Sequence, residues 1–221
     1  MIVEERMVAY INSLDIGNTP LLEEIESEAK KTHVPIIRRE MQSFLKTLLG
    51  IKKPRNILEV GTAIGFSALF LSEYAGPKTH ITTIEKYEKR IPIARENFKR
   101  AEREKQITLL EGDALDILPT LSGTFDFIFM DAAKGQYIRF LPEVLRLLED
   151  GGILVSDNVL QEGSIIDSRF AVERRDRTIH SRMREYLYEL KHHPRLTTSI
   201  LPLGDGVALS VKQGSVSDQK S

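Results

Sequence analysis

The chain's acids, glycines and hydroxyls are grouped in a few short stretches. The first is Glu59-Val-Gly61-Thr-Ala-Ile-Gly65-Phe-Ser67, a glycine turn between an apolar run and a helical one. Such a turn lets a ligand approach the backbone, and the free N–H groups of the next helix attract anions. It is not the dinucleotide fingerprint, because Ala63 and Phe66 stand where the second and third glycines belong. Close approach of a pyrophosphate is therefore not provided, and no Gly-Lys-Ser/Thr follows to make a phosphate loop. Glu85 ends the next apolar run, 24 positions after Gly61. A carboxylate there accepts hydrogen bonds from a ribose hydroxyl pair, or is only a surface acid. Asp113, in Glu111-Gly-Asp-Ala114, follows the third run. It can meet an adenine amino group or cap a helix that starts at Ala114. In order, at the carboxyl ends of successive strands, these residues describe an adenosine site without a pyrophosphate site. S-adenosylmethionine meets that description, its amino-acid carboxylate facing Ser67 and the helix N-terminus.

A second group carries different chemistry. Asp131 and Lys134 follow the apolar run ending at Met130, and Asp157-Asn158 follow the run ending at Ser156. Neighbouring strands lie ~4.8 Å apart. If these two strands are adjacent, Asp131, Asp157 and Asn158 converge beside the cofactor. Three oxygen ligands with no Cys or His select a hard cation, Mg²⁺ first. The bland alternative is that both aspartates cap helices. Lys134 overhangs this point, and a nearby divalent cation disfavours its ammonium, which would bring it toward the range of a general base. An ordinary solvated lysine is the alternative.

These residues need strands to carry them. Short apolar runs at Ile57–Val60, His80–Ile84, Ile107–Leu110, Phe125–Met130 and Ile153–Ser156 alternate with helical stretches at Phe66–Tyr74, Lys89–Arg103, Ala114–Leu121 and Tyr137–Leu148. Strands that are apolar throughout, alternating with helices, predict a parallel sheet covered on both faces. A charged helix over Phe170–Lys191 follows, with His192-His193 at its end. Thr197–Leu203 and Val207–Lys212 flank Gly204-Asp205-Gly206 as an antiparallel hairpin. Residues 1–50 read as three helices, the third stopping near Gly50, and 214–221 as a frayed tail. The expected division is thus a helical extension over 1–50, a core over 51–213 and the tail.

Composition narrows the classes. With 31 Lys+Arg against 32 Asp+Glu, the net charge of −1 excludes a general nucleic-acid coat while leaving room for a local basic patch. The chain has no Cys, which removes thiol nucleophiles, Cys-based zinc and iron–sulfur clusters. No long uncharged apolar run or signal-like N-terminus is present, so a cytoplasmic location is expected. An NAD-dependent reductase is disfavoured by the missing fingerprint, and a non-catalytic nucleotide binder by the acid pair.

Taken together, Ile57-Leu-Glu-Val-Gly-Thr-Ala-Ile-Gly-Phe-Ser67, Glu85, Gly112-Asp-Ala114, Met130-Asp-x-x-Lys134 and Asp157-Asn158 resemble the cation-dependent class I O-methyltransferases of the catechol and caffeoyl-CoA type. The resemblance implies an α/β Rossmann-like fold with a mostly parallel seven-stranded sheet, an antiparallel C-terminal hairpin and N-terminal helices. It implies S-adenosylmethionine at Ile37, Glu59, Gly61, Ser67, Glu85, Asp113, Ala114 and Asp131. It further implies Mg²⁺ at Asp131, Asp157 and Asn158, catalysis by Lys134 and Asp131, and a homodimer. Within the family, His33-Val-Pro-Ile-Ile-Arg38, Asp131-Ala-Ala-Lys-Gly-Gln-Tyr137 and Asp157-Asn-Val-Leu-Gln-Glu-Gly163 look most like the bacterial branch that methylates 5-hydroxyuridine in tRNA. The chain has no Trp, which departs from catechol-type enzymes with their aromatic walls. Arg169, Arg174, Arg175, Arg177, Arg182 and Arg184 crowd one segment, with Arg38 and Arg39 on the N-terminal side. Beside the cleft, Arg38, Arg39, Arg169, Arg174, Arg175 and Arg177 would attract a tRNA backbone. The alternatives are a solvated helix with a Glu173–Arg177 ion pair, and a small phenolic or catechol-like acceptor.

Overall fold

The computed structural model describes residues 3–214, so most of the expected tail lies outside the described residues. Three helices come first: α1 (Glu5–Ser13), α2 (Pro20–Lys31) and α3 (Arg39–Lys52). Strands and helices then alternate: β1 (Asn56–Val60), α4 (Phe66–Ala75), β2 (His80–Glu85), α5 (Ile91–Arg100), β3 (Ile107–Glu111), α6 (Ala114–Ile117), β4 (Phe125–Met130), α7 (Tyr137–Leu147) and β5 (Leu148–Ser156). The chain closes with α8 (Arg177–His192), β6 (Leu196–Leu201) and β7 (Val207–Lys212). One seven-stranded sheet results, in the order β3-β2-β1-β4-β5-β7-β6. Only β7 runs antiparallel to its neighbours, inserted between β5 and β6.

The strands are apolar on both faces because both faces are covered. Ile57, Phe127, Phe129 and Val155 point to one side, where Leu22 and Ile25 of α2, Met41, Leu45 and Leu49 of α3 and most of α4 cover them. Leu58, Val60, Ile128, Met130 and Leu154 point to the other, against Phe140 and Val144 of α7 and Met183 and Tyr186 of α8. Helix α4 shows no amphipathic stripe, since its residues from Phe66 to Ser72 are all buried. Helix α3 packs over it, so α2 and α3 belong to the same hydrophobic core as the sheet.

Three expected boundaries move. Helix α3 runs past Gly50 and stops where Lys53 turns left-handed (φ 50°) ahead of Pro54. The helix expected over 114–121 narrows at Leu118 to a 3-10 turn over Leu118–Thr120, because Pro119 has no N–H to continue the α ladder. The charged helix starts at Arg177 rather than Phe170, so Arg169, Arg174 and Arg175 sit on an irregular loop.

The register sets the site. Val60 pairs with Ile84 and with Met130, and Met130 pairs with Ser156. One residue further on, Glu85, Gly61, Asp131 and Asp157 therefore stand level along one edge. Gly61 is held at φ 95°, and a Cβ there would lie 2.4 Å from the Asp131 carbonyl oxygen. The ends of β1 and β4 thus approach so closely that the glycine serves strand packing as well as any ligand. Gly61→Ala should lower unfolding stability by about 1–3 kcal/mol, measured by denaturant titration.

Candidate active site

A cleft of about 680 Å³ opens along this edge. The segment Pro35–Arg38 with Met41 forms one wall, Gly61, Ser67, Glu85, Asp113 and Ala114 line it further along, and Asp131, Asp157, Asn158 and Asp205 make its acidic part. The fold brings all the expected cofactor and metal positions to this cleft except Glu59.

Glu59 lies outside the cleft lining, fully buried. Strand alternation turns it, with Ile57, toward α4 and away from the opening. Thr83 Oγ1 donates to its Oε2 at 2.5 Å. Burial pushes its carboxyl up to about 7, against the opposing effect of the Ser67, Thr62 and Thr83 hydroxyls. It buttresses the glycine turn from below.

Glu85 is no loose surface acid: only 8% of it is exposed. Its two oxygens accept separately, from the N–H of Ala63 at 2.8 Å and of Tyr87 at 2.7 Å. The carboxylate is thereby fixed between the glycine turn and the loop after β2. Asp113 is the cap of α6 that one of its two readings foresaw, accepting from Leu115 N–H at 3.0 Å, and it stands on the cleft. That backbone bond, with Lys86 at 3.3 Å, holds its carboxyl below the usual range.

Ile37 is placed by residues the sequence reading passed over. Gln42 Nε2 donates to the Ile37 carbonyl at 2.9 Å, Asn18 Nδ2 to Gln42 Oε1 at 2.7 Å, and Tyr74 Oη to Asn18 Oδ1 at 3.1 Å. Buried polar groups require such partners. A buried Gln on the apolar face of a predicted helix was the available signal.

At the acidic end, Asn158 Nδ2 lies 3.2 Å from Asp131 Oδ1, with Asn158 in the left-handed region at φ 59°. The Tyr137 hydroxyl braces the backbone behind the pair. It lies 3.1 Å from the Asp157 carbonyl oxygen and 3.2 Å from that of Met130, and accepts from Ala132 N–H at 3.2 Å. Burial raises the Asp131 carboxyl above its ordinary range. Burial and the Asp131 charge raise that of Asp157. Two buried carboxylates thus stand side by side, with the Lys134 charge opposing the effect of burial on each. Two carboxylates and an amide that also carries an oxygen fit a hard cation, with water or substrate filling the remaining positions. Among the described residues no cluster of three or more His, Cys, Asp or Glu is arranged for a metal, so sites richer in such ligands are not built here. Lys134 Nζ donates to Asp205 Oδ2 at 2.8 Å, a partner that the hairpin signal alone did not reveal.

The arginines divide. Arg39 is not at the surface for a partner: it reaches Glu23 at 2.6 Å and the buried Glu26 at 3.0 Å, tying α3 to α2. Arg177 does not pair with Glu173; it donates to the Val172 carbonyl at 3.2 Å and to that of Phe170 at 3.3 Å. Glu173 pairs instead with Arg175 at 3.0 Å. Arg182 and Arg184 donate to the carbonyls of Gly135 and Ile165. The guanidinium groups of Arg38, Arg169 and Arg174 are exposed and have no hydrogen bond or ion pair among the described residues.

The O-methyltransferase family profile matches residues 12–213. The chain belongs to the O-methyltransferase family. It is 33% identical over 214 residues to the catechol O-methyltransferase of Mycobacterium tuberculosis, covering 92% of this chain and 93% of that one. The O-methyltransferase of Bacillus cereus, solved with SAH, superposes with a TM-score of 0.82 at 28% identity, over 93% of this chain and 96% of that one. The SAH-bound Podospora anserina methyltransferase gives 0.84 at 30%, over 95% of each. This O-methyltransferase is therefore an S-adenosylmethionine-dependent enzyme with the Rossmann-like fold of its class. No helix among its described residues is long and apolar enough to cross a membrane. If Glu85 holds the ribose of the cofactor, Glu85→Ala should weaken S-adenosylmethionine binding. A hydrogen bond to a charged group is worth roughly 1.5–3 kcal/mol, or about ten- to hundredfold in Kd. An unchanged Kd by calorimetry would remove the residue from the cofactor site.

Proposed function

We propose that this O-methyltransferase is cation-dependent and methylates the 5-hydroxyl of 5-hydroxyuridine at the wobble position of tRNA, giving 5-methoxyuridine. The observation that carries the RNA acceptor is the unspent positive charge of Arg38 on the cleft and of Arg169 and Arg174 on the loop that follows Asn158 in the chain. Arg38 is exposed and lines the cleft beside Gly204, with its Cδ 3.7 Å from the position of a Cβ there. Arg169 and Arg174 lie on the loop that connects the strand end bearing Asp157 and Asn158 to α8. That loop also exposes Phe170, 81% accessible, as a flat surface for a base. Basic side chains with an aromatic among them suit a phosphate backbone and unstacked bases. This reading places the enzyme in the cytoplasm.

Asp131, Asp157 and Asn158 would hold the cation, Mg²⁺ or another hard divalent ion. When bound, it supplies Lewis acidity that lowers the pKa of the acceptor hydroxyl. Glu85 and Asp113 hold the adenosine, and the Ser67 end of α4 and the Ile37 segment hold the methionine part. Held so, the cofactor would present its methyl toward an acceptor oxygen lying beside Asp131. Lys134, as the neutral amine, would take up the hydroxyl proton, and S-adenosylhomocysteine would leave once the methyl has passed to the oxygen. Most of the acceleration comes from this alignment.

A second reading, a small catechol-like or phenolic acceptor, is favoured by the names of relatives, among them the catechol O-methyltransferases of Mycobacterium tuberculosis and Niastella koreensis. One experiment separates the two. With labelled S-adenosylmethionine and Mg²⁺, label should enter 5-hydroxyuridine in tRNA, and EDTA should abolish transfer. Replacing Arg38, Arg169 and Arg174 by Ala should weaken tRNA binding and flatten its salt dependence. Label in catechol alone, with an unchanged salt slope, would support the second reading.

The proposed homodimer has a surface to use. Helix α1 buries none of its own residues and exposes Met7, Tyr10, Ile11 and the following Leu14 along one stripe. A nine-residue helix is marginal in water without a covering surface. Two copies packed antiparallel about an axis between residues 10 and 11 would set Met7 against Leu14, Tyr10 against Ile11 and Arg6 against Asp15. Sedimentation should then show a dimer that Tyr10→Glu converts to monomer; a dimer that survives Tyr10→Glu would place the interface elsewhere.

A further inference from the structure

The Gly204-Asp205-Gly206 turn holds a carboxylate that neither a hairpin nor a cation site requires. Asp205 is 4% exposed, although it sits in the connection between two edge-side strands. Turn acids are ordinarily solvated, and a buried charge needs partners to be tolerated. Its two oxygens each have one. Oδ2 accepts from Lys134 Nζ at 2.8 Å, and Oδ1 accepts from the backbone N–H of Glu162. Its backbone carbonyl takes the Leu160 N–H at 2.9 Å, and that of Gly206 takes the Val159 N–H at 3.0 Å. One residue thus joins three loops: the hairpin, the loop after Asn158, and the turn bearing Lys134. The Lys134 side chain, 34% exposed, is otherwise free to swing into solvent. Flexible ammonium side chains lose entropy when fixed, so an anchoring charge matters most where position matters.

We propose that Asp205 is a positioning residue for methyl transfer, holding the Lys134 side-chain nitrogen beside the acidic end of the cleft, whence as the neutral amine it can reach the acceptor proton, while its other oxygen latches the loop behind Asn158. The inference rests on the reading that Lys134 handles the acceptor proton. It adds that the hairpin, 71 positions along the chain from Lys134, determines where that nitrogen stands. Asp205 acts through Lys134.

Asp205→Asn separates position from architecture. The amide oxygen still accepts from Glu162 N–H, so the loop is kept, while the charge facing Lys134 is lost. Asp205→Ala removes both. Methyl transfer is assayed with labelled S-adenosylmethionine, Mg²⁺, and both 5-hydroxyuridine-containing tRNA and catechol as acceptors. Asp205→Asn should lower kcat roughly ten- to hundredfold, as a misplaced group does, with S-adenosylmethionine Kd and thermal midpoint near the parent's. In a Lys134→Ala background, Asp205→Asn should cost nothing further, because residues acting through one another are non-additive. In the protein without cofactor or metal, acetic anhydride should modify Lys134 severalfold faster once Asp205 is Asn, read by peptide mass spectrometry. A parental kcat in Asp205→Asn, a full additional loss in the Lys134→Ala background, or an unchanged acetylation rate overturns the proposal. Full activity in Lys134→Ala instead overturns the underlying reading of the lysine, and the proposal with it. Loss in Lys134→Ala with none in Asp205→Asn overturns the proposal alone.

Discussion

The in-register parallel ladder of β1, β4 and β5 is the constraint on which the site depends. Because Val60, Met130 and Ser156 stand level, the next residue of each strand leaves the sheet at the same height. Gly61, Asp131 and Asp157 follow at adjacent positions, about one strand spacing apart. A slip of one residue would turn Asp131 or Asp157 to the other face and dissolve the pair. The apolar faces prevent that slip, since Phe127, Phe129 and Val155 fit only the α3–α4 side and Ile128, Met130 and Leu154 only the α7–α8 side. Core packing is therefore what holds two like charges together against their repulsion. Burial raises both carboxyls above their ordinary range, and the Asp131 charge raises that of Asp157 further.

The N-terminal helices are part of this arrangement rather than an ornament on it. Leu22, Ile25 and Leu45 complete the core on one face of the sheet. The Tyr74–Asn18–Gln42 chain then carries that packing to the Ile37 carbonyl at the cleft wall. The buried Arg39–Glu26 contact fixes α3 on α2 in the same place. A segment with no catalytic motif thus sets how closely the cleft wall approaches the cofactor end.

Charge is spent unevenly around the opening. Arg182 and Arg184 support carbonyls near the site, and Arg177 folds its own loop, stacked 5.9 Å over the Phe170 ring. The positive charge left unpaired is smaller than six clustered arginines suggest, and Arg169 and Arg174 carry it on irregular backbone instead of a helix.

The sequence by itself determined the strand–helix alternation, the antiparallel end of the sheet, and the identity of the residues that meet in the cleft. Those are local matters: apolar runs, turn glycines, and acids that directly follow strands, all within a few residues of one another. It identified Glu85, Asp113, Asp131, Asp157 and Asn158 as cleft residues because a parallel sheet sends every strand's carboxyl end to one edge. Only the tertiary structure decided the rest. That Glu59 lies outside the cleft lining depends on which face of β1 meets α4. That Gly61 is needed for the approach of Asp131 depends on the β1–β4 spacing. That Arg39 is spent on Glu23 and Glu26, and Lys134 on Asp205, depends on partners 13 to 71 positions away in the chain. Spacing along a sequence carries no record of such distant partners, because side-chain charges are satisfied only once the elements bearing them have packed.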